Sequence, residues 1–270
     1  MKWTIAALAG CSAAIATMFV AAAQDWQAAP PSAPEARLNN RSAAFLATVE
    51  RRPDRELYAR GRLIAMGGGG QGATGSTCFV CHGPNGGGDS TGAFPRLAEL
   101  PGWYMYKQLG DYAEGTRPNA IMTPIAKALT AEEREAVSVY FALSGAPGRN
   151  QMPQPPADPR RLQWGAALVA VGSAERAIPA CVNCHGSGSE GIPPSVPGLA
   201  GQNPTYIATQ LTLWKTGMRK NDPMNVMGAI AVKMTDEDIQ AVADYLGRLP
   251  WSSPVSEGVP PTGVPRAQVR

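Results

Sequence analysis

The chain has 270 residues and is 44% hydrophobic, enough apolar material for one or two cored domains. Only 17% of residues are charged and the formal net charge is +3, so there is no basic footprint and nucleic acid is excluded as a partner. With 30 Gly and 25 Pro, modest helices joined by turns and irregular segments are expected.

The N-terminus reads as an export signal over residues 1–23. Lys2 is a short positive start, Trp3 to Val20 is almost wholly apolar, and Ala21-Ala22-Ala23 offers a small-residue cleavage site. Left uncleaved, the run is about long enough to cross a bilayer and would tether the chain to the membrane. Its Ala content, with Thr4, Ser12 and Thr17, makes it a weak anchor. Leu8-Ala9-Gly10-Cys11 resembles a lipoprotein processing site, but the apolar stretch before Cys11 is short for that role. Residues 24–50 form a low-complexity arm rich in Ala, Pro and Gln. A Pro-rich linker at 147–159 then separates a unit at 51–146 from one at 160–250, and 251–270 is a flexible tail without periodicity.

The two units repeat one another. Cys78-Phe-Val-Cys81-His82-Gly83 matches Cys181-Val-Asn-Cys184-His185-Gly186, and Tyr104-Met-Tyr-Lys-Gln108-Leu109 matches Tyr206-Ile-Ala-Thr-Gln210-Leu211. Gly115-Thr-Arg117 matches Gly217-Met-Arg219, and the stretch from Met122 to Thr130 matches that from Met227 to Thr235. Four blocks in the same order are the mark of a duplicated domain.

Each unit is expected to be helical. A helix precedes each Cys motif, carried by Leu57, Arg60 and Ile64 in the first half and by Leu162, Leu168 and Val171 in the second. The Tyr-to-Gln segments form another. Thr130 and Thr235 stand three residues before Glu133 and Asp238, the pattern of a capped helix start, and Val137, Tyr140, Phe141 and Ile239, Val242, Leu246 follow at helical spacing. Strand signals are nearly absent, so the fold class is all-α.

Cys-x-x-Cys-His is the attachment signature of c-type haem. Two thiols at this spacing add across the porphyrin vinyl groups, and the following His lies beneath the iron. A zinc site would need four ligands in one tetrahedron, but each Cys pair sits in its own unit with its own His. A thioredoxin-like pair would need a βαβ context, which is missing. The chain has five Cys, of which Cys11 lies in the signal and four lie in the motifs, and its two His are the motif His. Two covalently attached haem c groups are therefore expected, on Cys78, Cys81, Cys181 and Cys184, with His82 and His185 as iron ligands.

With His exhausted, the sixth ligand is Met or a weaker group such as water, Lys or Tyr. Met122 and Met227 occupy the same place in the two repeats and are the candidates. Met224 stays as an alternative, because its spacing from Gly217 equals that of Met122 from Gly115. Pro95 and Pro197 are either ordinary turn prolines or place a carbonyl to accept the Nδ1 hydrogen of the motif His. Arg117 and Arg219 suit haem propionates. Tyr104, Tyr206, Tyr140 and Tyr245 are expected to pack against haem.

From about Leu57 to Leu249 these blocks resemble the two-haem cytochromes of the cytochrome c4 type, which are tandem class I cytochrome c domains. Leu199-Ala-Gly-Gln202 fits the family, whereas Leu97-Ala-Glu-Leu100, the Gly67–Gly70 run and the long Pro-rich ends depart from it. The resemblance implies a periplasmic carrier of single electrons, without substrate chemistry of its own, serving redox partner proteins such as a terminal oxidase or a dehydrogenase. A cytochrome subunit fixed to a dehydrogenase complex is the alternative. A dihaem peroxidase or a thiosulfate-oxidising haem enzyme is disfavoured, because no His or Cys is spare for an open iron site.

Overall fold

The computed structural model describes residues 54–68, 77–83, 86–89, 91–145 and 156–251. The export segment, the arm, most of the linker and the tail beyond Trp251 lie outside the described residues. Both repeats belong to one compact unit. The described elements are helical; two isolated β-bridges occur and no strand does, so the fold is all-α, with two tandem domains of matching helix order.

The first domain runs α1 (Arg55–Ala65), α2 (Cys78–His82), α3 (Gly102–Glu114), α4 (Met122–Ala128) and α5 (Ala131–Leu143). The second repeats the order with α6 (Pro159–Ala170), α7 (Val182–His185), α8 (Pro204–Lys215), α9 (Val226–Ala231) and α10 (Asp236–Arg248). Most helix starts are set by local chemistry. Asp54 caps α1 by accepting the Glu56 and Leu57 amides, and Asp158 with Pro159 does the same work for α6. At α5 and α10 the hydroxyls of Thr130 and Thr235 take the amides of Glu133 and Asp238, whose carboxylates reach back to the capping residue's own amide.

In each domain the first and last helices cross closely, α1 on α5 and α6 on α10. Glycine makes this possible. A Cβ at Gly61 would stand 2.0 Å from the Ala136 carbonyl oxygen, and one at Gly165 would stand 2.1 Å from that of Ala241. The helices α3 and α8 pack onto those pairs, and the short α4 and α9 pack onto α3 and α8. The second core gathers Leu168, Ile178, Ile207, Leu211, Ile239 and Leu246; the first is smaller and aromatic, with Tyr140 and Phe141 at 5.1 Å beside Tyr58 and Phe79. What remains between motif helix, ligand helix and core is an apolar crevice in each domain.

The domains meet along a seam with approximate twofold character. Arg117 donates to Gln108 of its own domain at 2.8 Å and to Gln210 of the other at 2.7 Å. Arg219 mirrors it, donating to Gln210 at 2.8 Å and to Gln108 at 3.1 Å. Away from this axis, the amide and carbonyl of Arg96 exchange hydrogen bonds with the Gln202 side chain, both at 3.0 Å. Trp251 lies under the Arg96 guanidinium at 3.4 Å from ring centroid to Cζ, and its indole N–H is taken by Glu99.

Candidate haem site

The two Cys motifs are single helical turns, which brings both thiols and the His of each to one side. Thr77 caps α2 through the Val80 amide, while Gly83 and Gly186, with φ of 72° and 87°, turn the chain out immediately after the His. Both motifs open onto one continuous cavity of about 760 Å³, whose walls also include Met122, Met227, Tyr104, Tyr206, Arg117 and Arg219. All eight candidate ligands and attachment residues thus line the same space. Met224 does not; it is 94% exposed.

The spacing from Arg to Met is five residues in the first domain and eight in the second. The three extra residues are spent in a looped turn, Pro223–Asn225, where Met224 and Asn225 take left-handed φ of 57° and 55°. This turn carries Met224 into solvent and delivers Met227 to the wall of the cavity.

Each motif His is buried and its ring is fixed from behind. His82 Nδ1 donates to the Pro95 carbonyl at 2.8 Å and His185 Nδ1 to that of Pro197 at 2.8 Å. Nδ1 is thereby committed, and Nε2 is the nitrogen left for a metal. Burial holds both imidazoles below their ordinary pKa, against the opposite pull of the carbonyl each bonds, so the neutral, ligating form prevails at pH 7. Burial also pushes the thiols of Cys78 and Cys181 up to about 11, which is the opposite of an activated redox or nucleophilic cysteine. Among the described residues no three His, Cys, Asp or Glu side chains cluster as an ion site, as zinc would need.

Arg117 and Arg219 are 5% and 4% exposed. Their guanidiniums donate to neutral oxygens, those of Gln108, Gln210, Tyr206 and Asn221, and lie over the rings of Tyr112 and Trp214 at 4.6 and 3.9 Å from Cζ to centroid, with no carboxylate among these partners. Two buried cations in the wall of an apolar cavity favour anions, and carboxylate groups on a bound macrocycle would meet that need. Apolar walls, paired thiols, an oriented imidazole, a thioether and a buried cation in each half all fit haem c. Bound there, haem supplies reversible one-electron chemistry at its iron.

Two expectations change. Tyr140 and Tyr245 do not line the cavity; Tyr140 packs against Tyr58 and Phe141, and Tyr245 belongs to the shell of the second core. Sequence reasoning also passed over the acceptors that start the ligand helices. Asn119 Oδ1 accepts the Met122 amide at 2.8 Å, and Asp222 Oδ2 accepts that of Met227 at 2.6 Å. An Asx residue just upstream of each Met was the available signal.

The Cytochrome c family model matches residues 69–143 and 174–250. A thiosulfate dehydrogenase electron acceptor from Stutzerimonas stutzeri is 41% identical over 196 residues, covering 71% of this chain and 87% of that one. A cytochrome c4 from Pseudomonas aeruginosa is 34% identical over 176 residues, covering 64% and 84%. Among solved structures, the thiosulfate dehydrogenase from Marichromatium purpuratum aligns with a TM-score of 0.65 and 36% identity over 72% of this chain, but only 40% of its own length is matched. Reduced cytochrome c4 from Pseudomonas stutzeri aligns with a TM-score of 0.58 and 30% identity, over 64% of this chain and 93% of that one. The chain belongs to the cytochrome c family, as a tandem-domain electron-transfer cytochrome of the cytochrome c4 type.

Proposed function

We propose that this chain is exported to the periplasm, carries two covalently attached haem c groups, and accepts single electrons from a thiosulfate-oxidising dehydrogenase for delivery to a further redox protein. The domains run over 51–146 and 160–250 on either side of the linker at 147–159. Cys78 and Cys81 hold one haem and Cys181 and Cys184 the other, with His82 and Met122 ligating the first iron and His185 and Met227 the second. The observation that carries this is the cavity: both Cys-x-x-Cys-His turns, both Nδ1-tethered imidazoles, both Met residues and two buried guanidiniums line one largely apolar space. The choice of donor rests on the similarity to thiosulfate dehydrogenase electron acceptors in two organisms.

A second reading has a specific observation in its favour. In the Marichromatium purpuratum chain the matched region is 40% of a longer polypeptide, so a fixed electron-transfer unit of a dehydrogenase is an arrangement this fold accommodates. One experiment separates these ideas. The purified protein should gain the mass of two haems, stain for haem after denaturation, and stay ferric with thiosulfate alone. Adding a catalytic amount of a thiosulfate dehydrogenase should reduce both haems. Reduction by thiosulfate without that enzyme would make this chain an enzyme, and one haem per chain would end the two-haem reading. Co-purification with a dehydrogenase through size exclusion would favour the fixed subunit.

A further inference from the structure

We infer that Asp222 is a positioning residue for Met227, and that the first domain holds it in place by gripping Asn221. This rests on the reading of Met227 as an iron ligand.

The two ligand helices begin differently. In the first domain the start is closed locally: Asn119 Oδ1 accepts the amides of Ile121 at 3.0 Å and Met122 at 2.8 Å, and the Asn119 amide donates to Thr123 Oγ1 at 3.0 Å. In the second domain the looped turn removes that option. Asn225, which directly precedes α9, is left-handed and makes no side-chain cap. The Met227 amide is taken instead by Asp222, five residues back, whose other oxygen accepts Trp214 Nε1 at 3.1 Å. The position of Met227 therefore depends on where Asp222 is held.

The residue beside Asp222 is held mainly from across the seam. Asn221 Nδ2 donates to Gln108 Oε1 at 2.9 Å and to Asp111, and the Asn221 carbonyl accepts Lys107 Nζ at 2.8 Å. Arg219 Nε, from its own domain, donates to Asn221 Oδ1 at 2.9 Å. Lys107 and Asp111 also bond each other at 2.6 Å, which braces the grip. Neither lines the cavity. This grip has no counterpart in the other direction: the repeat positions of Lys107 and Asp111 are Thr209 and Leu213, which carry no charge, and the second domain meets the first domain's loop through Arg117, bonded to Tyr206 and Gln210. A change to the Lys107 or Asp111 side chain, outside the cavity, thus acts on the second iron's sulfur ligand and not on the first.

The test uses the full-length ferric protein and reads the sulfur-to-iron absorption band while imidazole displaces the Met ligand. In a Met122→Ala background only the second haem keeps the band. There, Asp222→Ala and Asp111→Ala should each lower the imidazole concentration at half-loss by about ten-fold, as expected when roughly one charge-assisted hydrogen bond ceases to hold the loop. Asp222→Asn keeps one of the two acceptor oxygens that Asp222 uses, and its midpoint should fall between those of Asp222→Ala and the parent. In a Met227→Ala background Asp111→Ala should change nothing. Trp251→Ala, which loosens the seam elsewhere, should also leave the second haem's midpoint in place. An unmoved midpoint in Asp111→Ala, or an equal fall in Trp251→Ala, overturns the inference while leaving the ligand assignment intact. Failure of Met122→Ala to remove about half the band in the parent protein would instead strike the ligand assignment itself.

Discussion

A thioether ligates iron only from a side chain that reaches the cavity, and at position 224 the backbone turns away from it. Met224→Ala should therefore leave the ferric sulfur-to-iron band unchanged. Met122→Ala and Met227→Ala should each remove about half of it and lower one of the two potentials, because thioether sulfur favours ferrous iron. Loss of the second haem's share in Met224→Ala alone would reverse the assignment. The candidate ligands were legible because elimination works on so small a census: two His, and four Cys outside the signal. Counting from Gly217 favoured Met224 while the Ile-Ala-to-Thr block favoured Met227. The conflict had a physical source that spacing alone cannot reveal, namely three residues looped out through two left-handed positions. The Pro95 and Pro197 carbonyls were likewise visible as positions, while their 2.8 Å bonds to imidazole required the folded loop.

At the level of elements, the crossings at Gly61 and Gly165 fix how α1 and α6 are rotated against α5 and α10. Alanine would add roughly 1 kcal/mol of helix propensity at either site. The added methyl would meet a backbone carbonyl at 2.0–2.1 Å, which only separation of the helices relieves. Overpacking should outweigh propensity, leaving Gly61→Ala and Gly165→Ala each less stable by about 2 kcal/mol in chemical denaturation. Helix starts with a local cap, such as those at Thr130 and Thr235, were readable in sequence; α9, whose cap comes from the Asp222 loop, was not. Tyr140 and Tyr245 were misplaced for a related reason. Helical spacing says which residues share a stripe, but the glycine crossing decides which way that stripe faces. The α10 cap also carries a pH signature. Burial would raise the Asp238 carboxyl, but Arg176, the Thr235 amide and Trp164 outweigh it and hold it at about 2, against an ordinary 3.8. The folded form keeps this proton off where the unfolded chain would bind it, so the stabilisation is complete above about pH 4 and drains away as pH falls towards about 2. Denaturation profiles across that window should be shallower for Asp238→Asn, which should already be weakened at pH 7.

Over the whole molecule, the duplication was plain in the sequence and the seam was not, because no repeat block announces what its partner touches. The C-terminal tail was expected to begin at 251, yet Trp251 closes over Arg96, a guanidinium whose Nε and Nη1 meet no hydrogen-bond acceptor among the described residues. Trp251→Ala should remove about 1–2 kcal/mol of cation–π and packing stabilisation from the domain contact. Unfolding followed by haem absorbance should then broaden or divide into two steps where the parent shows one. The seam also bears on how the two copies can change. Duplication ordinarily leaves one copy free to drift. Here the Gln108 oxygen serves Arg117 and Arg219 together, and the Gln210 oxygen serves the same pair, so a substitution at either glutamine injures both halves at once. Selection meets the four residues as a single character. Their neighbours, which share no acceptor between the halves in this reciprocal way, have parted: Lys107 and Asp111, which hold Asn221 from one side only, correspond to Thr209 and Leu213, and Tyr112 corresponds to Trp214. The Gln and Arg that still betray the common origin of the halves are those that docking withdrew from independent inheritance.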